Sequence, residues 1–109
     1  MNAAGSLGFS TLADLARIRT GVRRERLSSY DRKGGNYDWW VLEPGGSAVI
    51  ADIAGAGCIR HLWMTMGSSE HAFLRKVVLR SWWDSERSPS IECPIGDFFG
   101  IGHGIMKNF

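Results

Sequence analysis

The chain has 109 residues, room for one domain, and its 13 Lys and Arg against 11 Asp and Glu leave a net charge of only +2. The cations are spread along the sequence, with only Arg23, Arg24 and Arg26 clustered, which argues against a nucleic-acid partner. No apolar run approaches the roughly 18–20 residues needed to span a bilayer, so no membrane partner is expected.

In chain order, the first expected element is a helix over residues 10–20. Ser10 or Thr11 can cap it, Leu12, Leu15, Ala16 and Ile18 recur at helical spacing, and Gly21 supplies the stop. From Val22 onward the pattern favours strands. Tyr37 to Leu42 is aromatic and β-branched, Glu43-Pro44-Gly45-Gly46 is a turn, and Ser47 to Ile53 alternates. Ala54-Gly55-Ala56-Gly57 breaks that run, and Cys58 to Met66 alternates again. Phe73 to Trp83 is expected as the longest strand, with one of Trp82 and Trp83 facing a core. Pro89 to Pro94 is a short extended piece, and residues 96–104, with four of the 14 glycines, are expected as a loop. Strands at roughly ten-residue intervals point to a mainly β fold: an antiparallel jelly roll or β-sandwich, incomplete, preceded by one short helix. The expected organisation is an N-terminal helical segment over residues 1–21 and a partial β domain over residues 22–109. The C-terminal Ile105-Met106-Lys107-Asn108-Phe109 carries no closing turn and is read as a truncation.

Three segments concentrate polar chemistry. Ser28 to Trp40 places Asp31, Asn36 and Asp38 around a Gly-Gly turn among aromatic rings. Sugars need both kinds of group, acceptors for their hydroxyls and rings for their C–H faces. The same residues also suit a plain turn whose carboxylates bind their own backbone. Ser81 to Glu86 ends the long strand with Asp84 and Glu86, a pattern that a solvated turn explains equally well. Glu92 to Gly104 carries Asp97 and His103 on a glycine-rich stretch, and loops on a β scaffold are common ligand sites. No nucleophile is paired with His103 in the sequence. Cys58 and Cys93 allow at most one bridge, show no metal-ligand spacing, and are expected as buried free thiols. The cellular compartment is left undetermined, and neither metal nor cofactor is expected.

Four ordered blocks resemble one family. Ser28-Ser29-Tyr30-Asp31-Arg32-Lys33-Gly34-Gly35-Asn36-Tyr37-Asp38 resembles the opening motif of the DUF2961 family, also classed as glycoside hydrolase family 172. Asp52 to Trp63, Leu79 to Glu86 and Pro89 to Gly104 resemble its next three blocks. Ala56 stands where the family pattern has Pro, Trp82 where it has Tyr, and Ser85 where it has Gly. The resemblance implies a double jelly-roll enzyme that forms homo-oligomers and cleaves α-fructofuranoside or D-arabinofuranoside linkages with retention. Such chemistry uses two carboxyl groups about 5 Å apart. The catalytic glutamates are expected downstream of Phe109, and Glu86 and Glu92 are the local rivals. Asp31, Asn36, Asp38, Asp97 and His103 are then expected as contacts to an oligosaccharide or polysaccharide substrate. The alternatives are a non-catalytic jelly-roll module for carbohydrate binding or assembly, and a purely structural capsid-like jelly roll.

Overall fold

The computed structural model describes residues 20–105 together with Leu12, Ala16 and Ile18. The helix expected over residues 10–20 therefore lies, apart from Leu12, Ala16, Ile18 and Thr20, outside the described residues. The chain divides into two compact units, Met1–Leu62 and Trp63–Phe109.

In the second unit the order is α1 (Phe73–Lys76), β1 (Val78–Ser81), β2 (Ile91–Pro94), α2 (Ile95–Phe98) and a 3-10 turn (Gly102–Gly104). This is a small mixed α/β arrangement of two antiparallel strands and two short helices. The expected strand over Phe73–Trp83 is corrected at both ends: Phe73–Lys76 is helical, and the strand runs only from Val78 to Ser81, short of Trp82 and Trp83. The reason is local. Phe73-Leu74-Arg75-Lys76 includes good helix formers, whereas Val77 and Val78 are β-branched and favour extended backbone. Glu70 nucleates the turn by accepting the Ala72 N–H at 3.0 Å through Oε1 and the Lys76 ammonium at 2.6 Å through Oε2. Those contacts, led by the Lys76 hydrogen bond, lower the pKa of Glu70 from its ordinary value.

Strands β1 and β2 pair in the register Val78↔Pro94, Leu79↔Cys93, Arg80↔Glu92 and Ser81↔Ile91. Their alternation sends Leu79 and Ser81 to the half-buried side and Val78 and Arg80 outward. Across the exposed side, Arg80 Nε donates to Glu92 Oε2 at 2.6 Å. The connection closes through Trp83-Asp84-Ser85-Glu86, with the Glu86 N–H on the Trp83 carbonyl at 2.9 Å. Asp84 and Ser85 both have positive φ, 48° and 63°, the hairpin-compatible backbone hand that glycine and asparagine adopt most cheaply. Both tryptophans beside this turn are exposed, Trp82 at 50% and Trp83 at 45%, so neither occupies the core position expected for one of them.

Residues 96–104, expected as a loop, begin as helix. Pro94 fixes an extended residue before α2, and Gly100 at φ 77° ends the turn beyond Phe98. Ile95, 3% exposed, is the buried hydrophobic residue among those described, and its N–H reaches back to the Val77 carbonyl at 2.8 Å. Gly96 is buried beside it for a steric reason. A Cβ there would lie 3.0 Å from Leu74 Cβ, 3.0 Å from the Leu74 carbonyl oxygen and 3.2 Å from that of Ile101. Only a residue without a side chain lets α1, α2 and the 3-10 turn approach this closely.

The first unit is organised by turns. Glu43-Pro44-Gly45-Gly46 closes as expected, the Gly46 N–H donating to the Glu43 carbonyl at 2.8 Å. The alternating stretches Tyr37–Leu42 and Ser47–Ile53, and Cys58–Met66 continuing into the second unit, form no strand ladder among the described residues. Most of their apolar residues stay in solvent, Val49 being 79% and Trp63 72% exposed, while Leu62 and Met64 are half-buried. An alternating sequence specifies which face is apolar, but a strand exists only when a partner supplies hydrogen bonds and cover. Cys58 is exposed and Cys93 half-buried, both as free thiols, which corrects the expected burial of Cys58. No helix among the described residues is long and apolar enough to cross a membrane.

Candidate functional site

The sequence-predicted residues fall into two clusters, one in each unit. Asp31, Asn36 and Asp38 share the loop of the first unit. Asp31 is its organiser: Oδ1 accepts the Lys33 N–H at 2.8 Å, and Oδ2 accepts those of Gly35 at 2.9 Å and Tyr37 at 3.3 Å. The loop's first turn also closes through the Gly34 N–H on the Asp31 carbonyl at 3.2 Å. These bonds, the one from Lys33 first, hold the Asp31 carboxyl below its ordinary range although partial desolvation opposes them.

Asp38 closes the loop from its other end. Its Oδ1 accepts the Asp31 N–H at 2.7 Å, and its carbonyl accepts the Ser29 hydroxyl at 2.6 Å. Asp38 is exposed, and no described residue bonds to its Oδ2. Asn36 sits at φ 60° on the exposed crest, a conformation that asparagine adopts at lower cost than most residues. Aromatic surface lies alongside. Tyr37 and Trp39 have ring centroids 4.1 Å apart, and the Arg32 guanidinium stands 5.6 Å from the Tyr30 ring centroid. The loop therefore combines a carboxylate oxygen, an amide and exposed rings on a backbone that Asp31 holds in shape.

The second cluster lies on α2 and the 3-10 turn. Asp97 contacts Nη1 of Arg75 through both carboxylate oxygens. Its side chain is 35% exposed and that of Arg75 45%. His103 is exposed at φ 59°, an unfavourable hand for a residue with a Cβ, between Gly102 and Gly104. Phe98 and Phe99 meet edge to face at 5.1 Å and are both partly exposed, placing ring edges near this stretch of chain.

The rival carboxylates are otherwise engaged. Glu92 takes the Arg80 guanidinium, and Glu86 accepts the Ser90 hydroxyl. Among the described residues no group of three or more His, Cys, Asp or Glu side chains gathers as a metal site. Reasoning from sequence missed Arg75, because its contact with Asp97 spans 22 positions and no local pattern announces it. The organising role of Asp31 was better marked, since an aspartate before Gly-Gly regularly accepts backbone N–H groups in its own turn.

No curated protein and no solved structure matches the chain. A family described as GH172 domain-like does match, over residues 37–108. That span includes Asp38, Asp97 and His103 and begins just after Asp31 and Asn36. Because it covers more than half of the 109 residues, the chain belongs to the GH172 domain-like family.

Proposed function

We propose that the chain forms part of a retaining glycoside hydrolase of furanosidase type, acting on α-fructofuranoside or D-arabinofuranoside linkages. The observation that carries this reading is the family match over residues 37–108. In this reading Asp31, Asn36 and Asp38 of the first unit and Asp97 and His103 of the second are substrate contacts, with Asp31 acting by shaping its loop and Asp38 by accepting a sugar hydroxyl. No residue of this chain is assigned as catalytic nucleophile or acid. Glu86 and Glu92 are held by Ser90 and Arg80, and retention requires a pair of carboxyl groups about 5 Å apart across the sugar.

The β-sandwich belongs to the same proposal. The alternating stretches between Tyr37 and Met66 become its strands when partners cover them, and exposed side chains such as Val49 and Trp63 suit burial against further sheet or a second subunit. The test is an assay of the protein carrying this sequence on fructofuranosides and arabinofuranosides, with the anomer of the first-formed product read by NMR. Release of fructose or arabinose with retained configuration is the expected result. Absence of any cleavage overturns it.

A second reading, a carbohydrate-binding module without catalysis, draws on the exposure of both Trp82 and Trp83. It predicts calorimetric binding of an arabinofuranose oligosaccharide with no product formed.

A further inference from the structure

Arg75 contacts one end of the segment that carries the second cluster and lies close to the other. Its Nη1 meets both oxygens of Asp97, at the start of that segment. Its Cγ lies 3.8 Å from where a Cβ on Gly104 would stand, at the segment's end. Between these points the chain is tied to itself by the Gly100 N–H on the Asp97 carbonyl at 3.0 Å and the Ile101 N–H on the Gly96 carbonyl at 2.7 Å. His103 lies inside the segment at φ 59°, a conformation that non-glycine residues keep only where their surroundings hold it.

Stability is a weak explanation for this arrangement. An ion pair between two partly exposed side chains adds little to folding, because water already solvates both charges well. What it does supply is direction. A carboxylate held through both oxygens presents a fixed edge, and the aliphatic stem of Arg75 lies close to Gly104, next to His103. We propose that Arg75 is a positioning residue, which orients the Asp97 carboxylate and the His103 turn for contact with a furanoside. The proposal rests on the furanosidase reading for its substrate and on the geometry of α1, α2 and the 3-10 turn for everything else.

Two variants and two readouts test it in the protein carrying this sequence. R75M removes the guanidinium and keeps an unbranched apolar stem, whereas R75K keeps a terminal nitrogen able to face both Asp97 oxygens. The first readout is amide hydrogen exchange at Gly100, Ile101, Gly104 and Ile105. R75M is expected to speed it about two- to fivefold, the scale of one partly exposed ion pair, with R75K close to wild type. The second is hydrolysis of p-nitrophenyl α-D-arabinofuranoside. Here R75M is expected to raise KM about fivefold with kcat within about twofold, and R75K to restore most of the loss, since the missing element is ground-state binding.

A merely structural arginine would lower kcat through a smaller folded fraction and leave KM alone, and that result overturns the proposal. So does equal behaviour of R75M and R75K, or faster exchange with KM unchanged. If the wild type cleaves no furanoside, the furanosidase reading fails by itself. Exchange then decides the tether, and unaltered rates in R75M overturn it.

Discussion

The Asp31–Asp38 loop and the α1–β1–β2–α2 unit reach order by opposite means. The loop is local: its bonds join residues at most nine positions apart, and the carboxylates of Asp31 and Asp38 do the joining in solvent. The second unit relies on contacts distant in sequence, with the Arg80–Glu92 pair across the ladder, the Arg75–Asp97 pair between helices, and Gly96 letting the backbones close in. Both use ionised carboxylates, and the second adds a close backbone approach at Gly96 that has no counterpart in the loop. The loop should therefore respond to charge and pH alone, and the second unit to volume as well.

The strongest way to break that contrast is Gly96→Ala. A methyl group 3.0 Å from the Leu74 carbonyl forces backbone to move, and the expected cost is about 1–3 kcal/mol. Thermal unfolding checks it, and an unchanged melting temperature would show that α1 and α2 are not pressed together. Next in size is Ser85→Gly. Ser85 holds φ 63° in the hairpin turn where the family pattern carries glycine, so the change should stabilise by about 0.5–1 kcal/mol. Denaturant titration reads that gain, and a loss would mean that the hydroxyl has a partner worth more than the backbone relief.

Local in reach is the pair Asp31→Ala and Asp38→Asn. Removing the Asp31 carboxylate deprives three backbone N–H groups of their acceptor, so amide resonances of Lys33, Gly35 and Tyr37 should move and broaden while those of α2 stay in place. Asp38→Asn keeps an oxygen for the Asp31 N–H and should leave the loop intact. If the loop is a sugar contact, this second variant weakens substrate binding without unfolding anything. Equal disorder in both variants would make Asp38 a structural residue only.

The smallest effect is a titration. The Asp31 carboxyl is lowered in the folded loop, first by the Lys33 N–H, so the folded state binds its proton less readily than the unfolded chain does. Its stabilising contribution is thus complete above the ordinary carboxylate range and is lost as pH falls through the lowered folded value. Amide shifts of Lys33 and Gly35 should follow that single acidic midpoint. A midpoint at or above the ordinary value would contradict the bonding described for the loop.

How much of this was readable beforehand differs between the two regions for the same reason. The Gly-Gly loop and the Glu43–Gly46 turn were legible, because their determinants lie within a few residues and each has a known geometric use. The β2 segment was legible inside Pro89–Pro94. Helix α1 was hidden because Phe73 to Trp83 is rich in aromatic and β-branched residues and reads as one strand, although the shift from Leu-Arg-Lys to Val-Val marked the helix end. The start of α2 was hidden by the four glycines of residues 96–104, which suggest a loop until Gly96 is seen as a packing position. Of the site, Asp31 and Asp38 were visible as candidates, but the organising role of Asp31 and the closing role of Asp38 depend on which oxygen meets which N–H. Arg75 was invisible, since nothing in a linear pattern links it to Asp97.

The left-handed backbone at His103 acts as a sieve on what position 103 can become. Most side chains are filtered out there on steric grounds before any question of chemistry arises, and glycine passes most easily. Drift alone would therefore carry this position toward glycine and away from imidazole. A histidine found at the equivalent place in another sequence is consequently a sharper sign of use than a glutamate preserved at 92, where ordinary strand geometry admits many replacements and an arginine across the ladder already explains the charge.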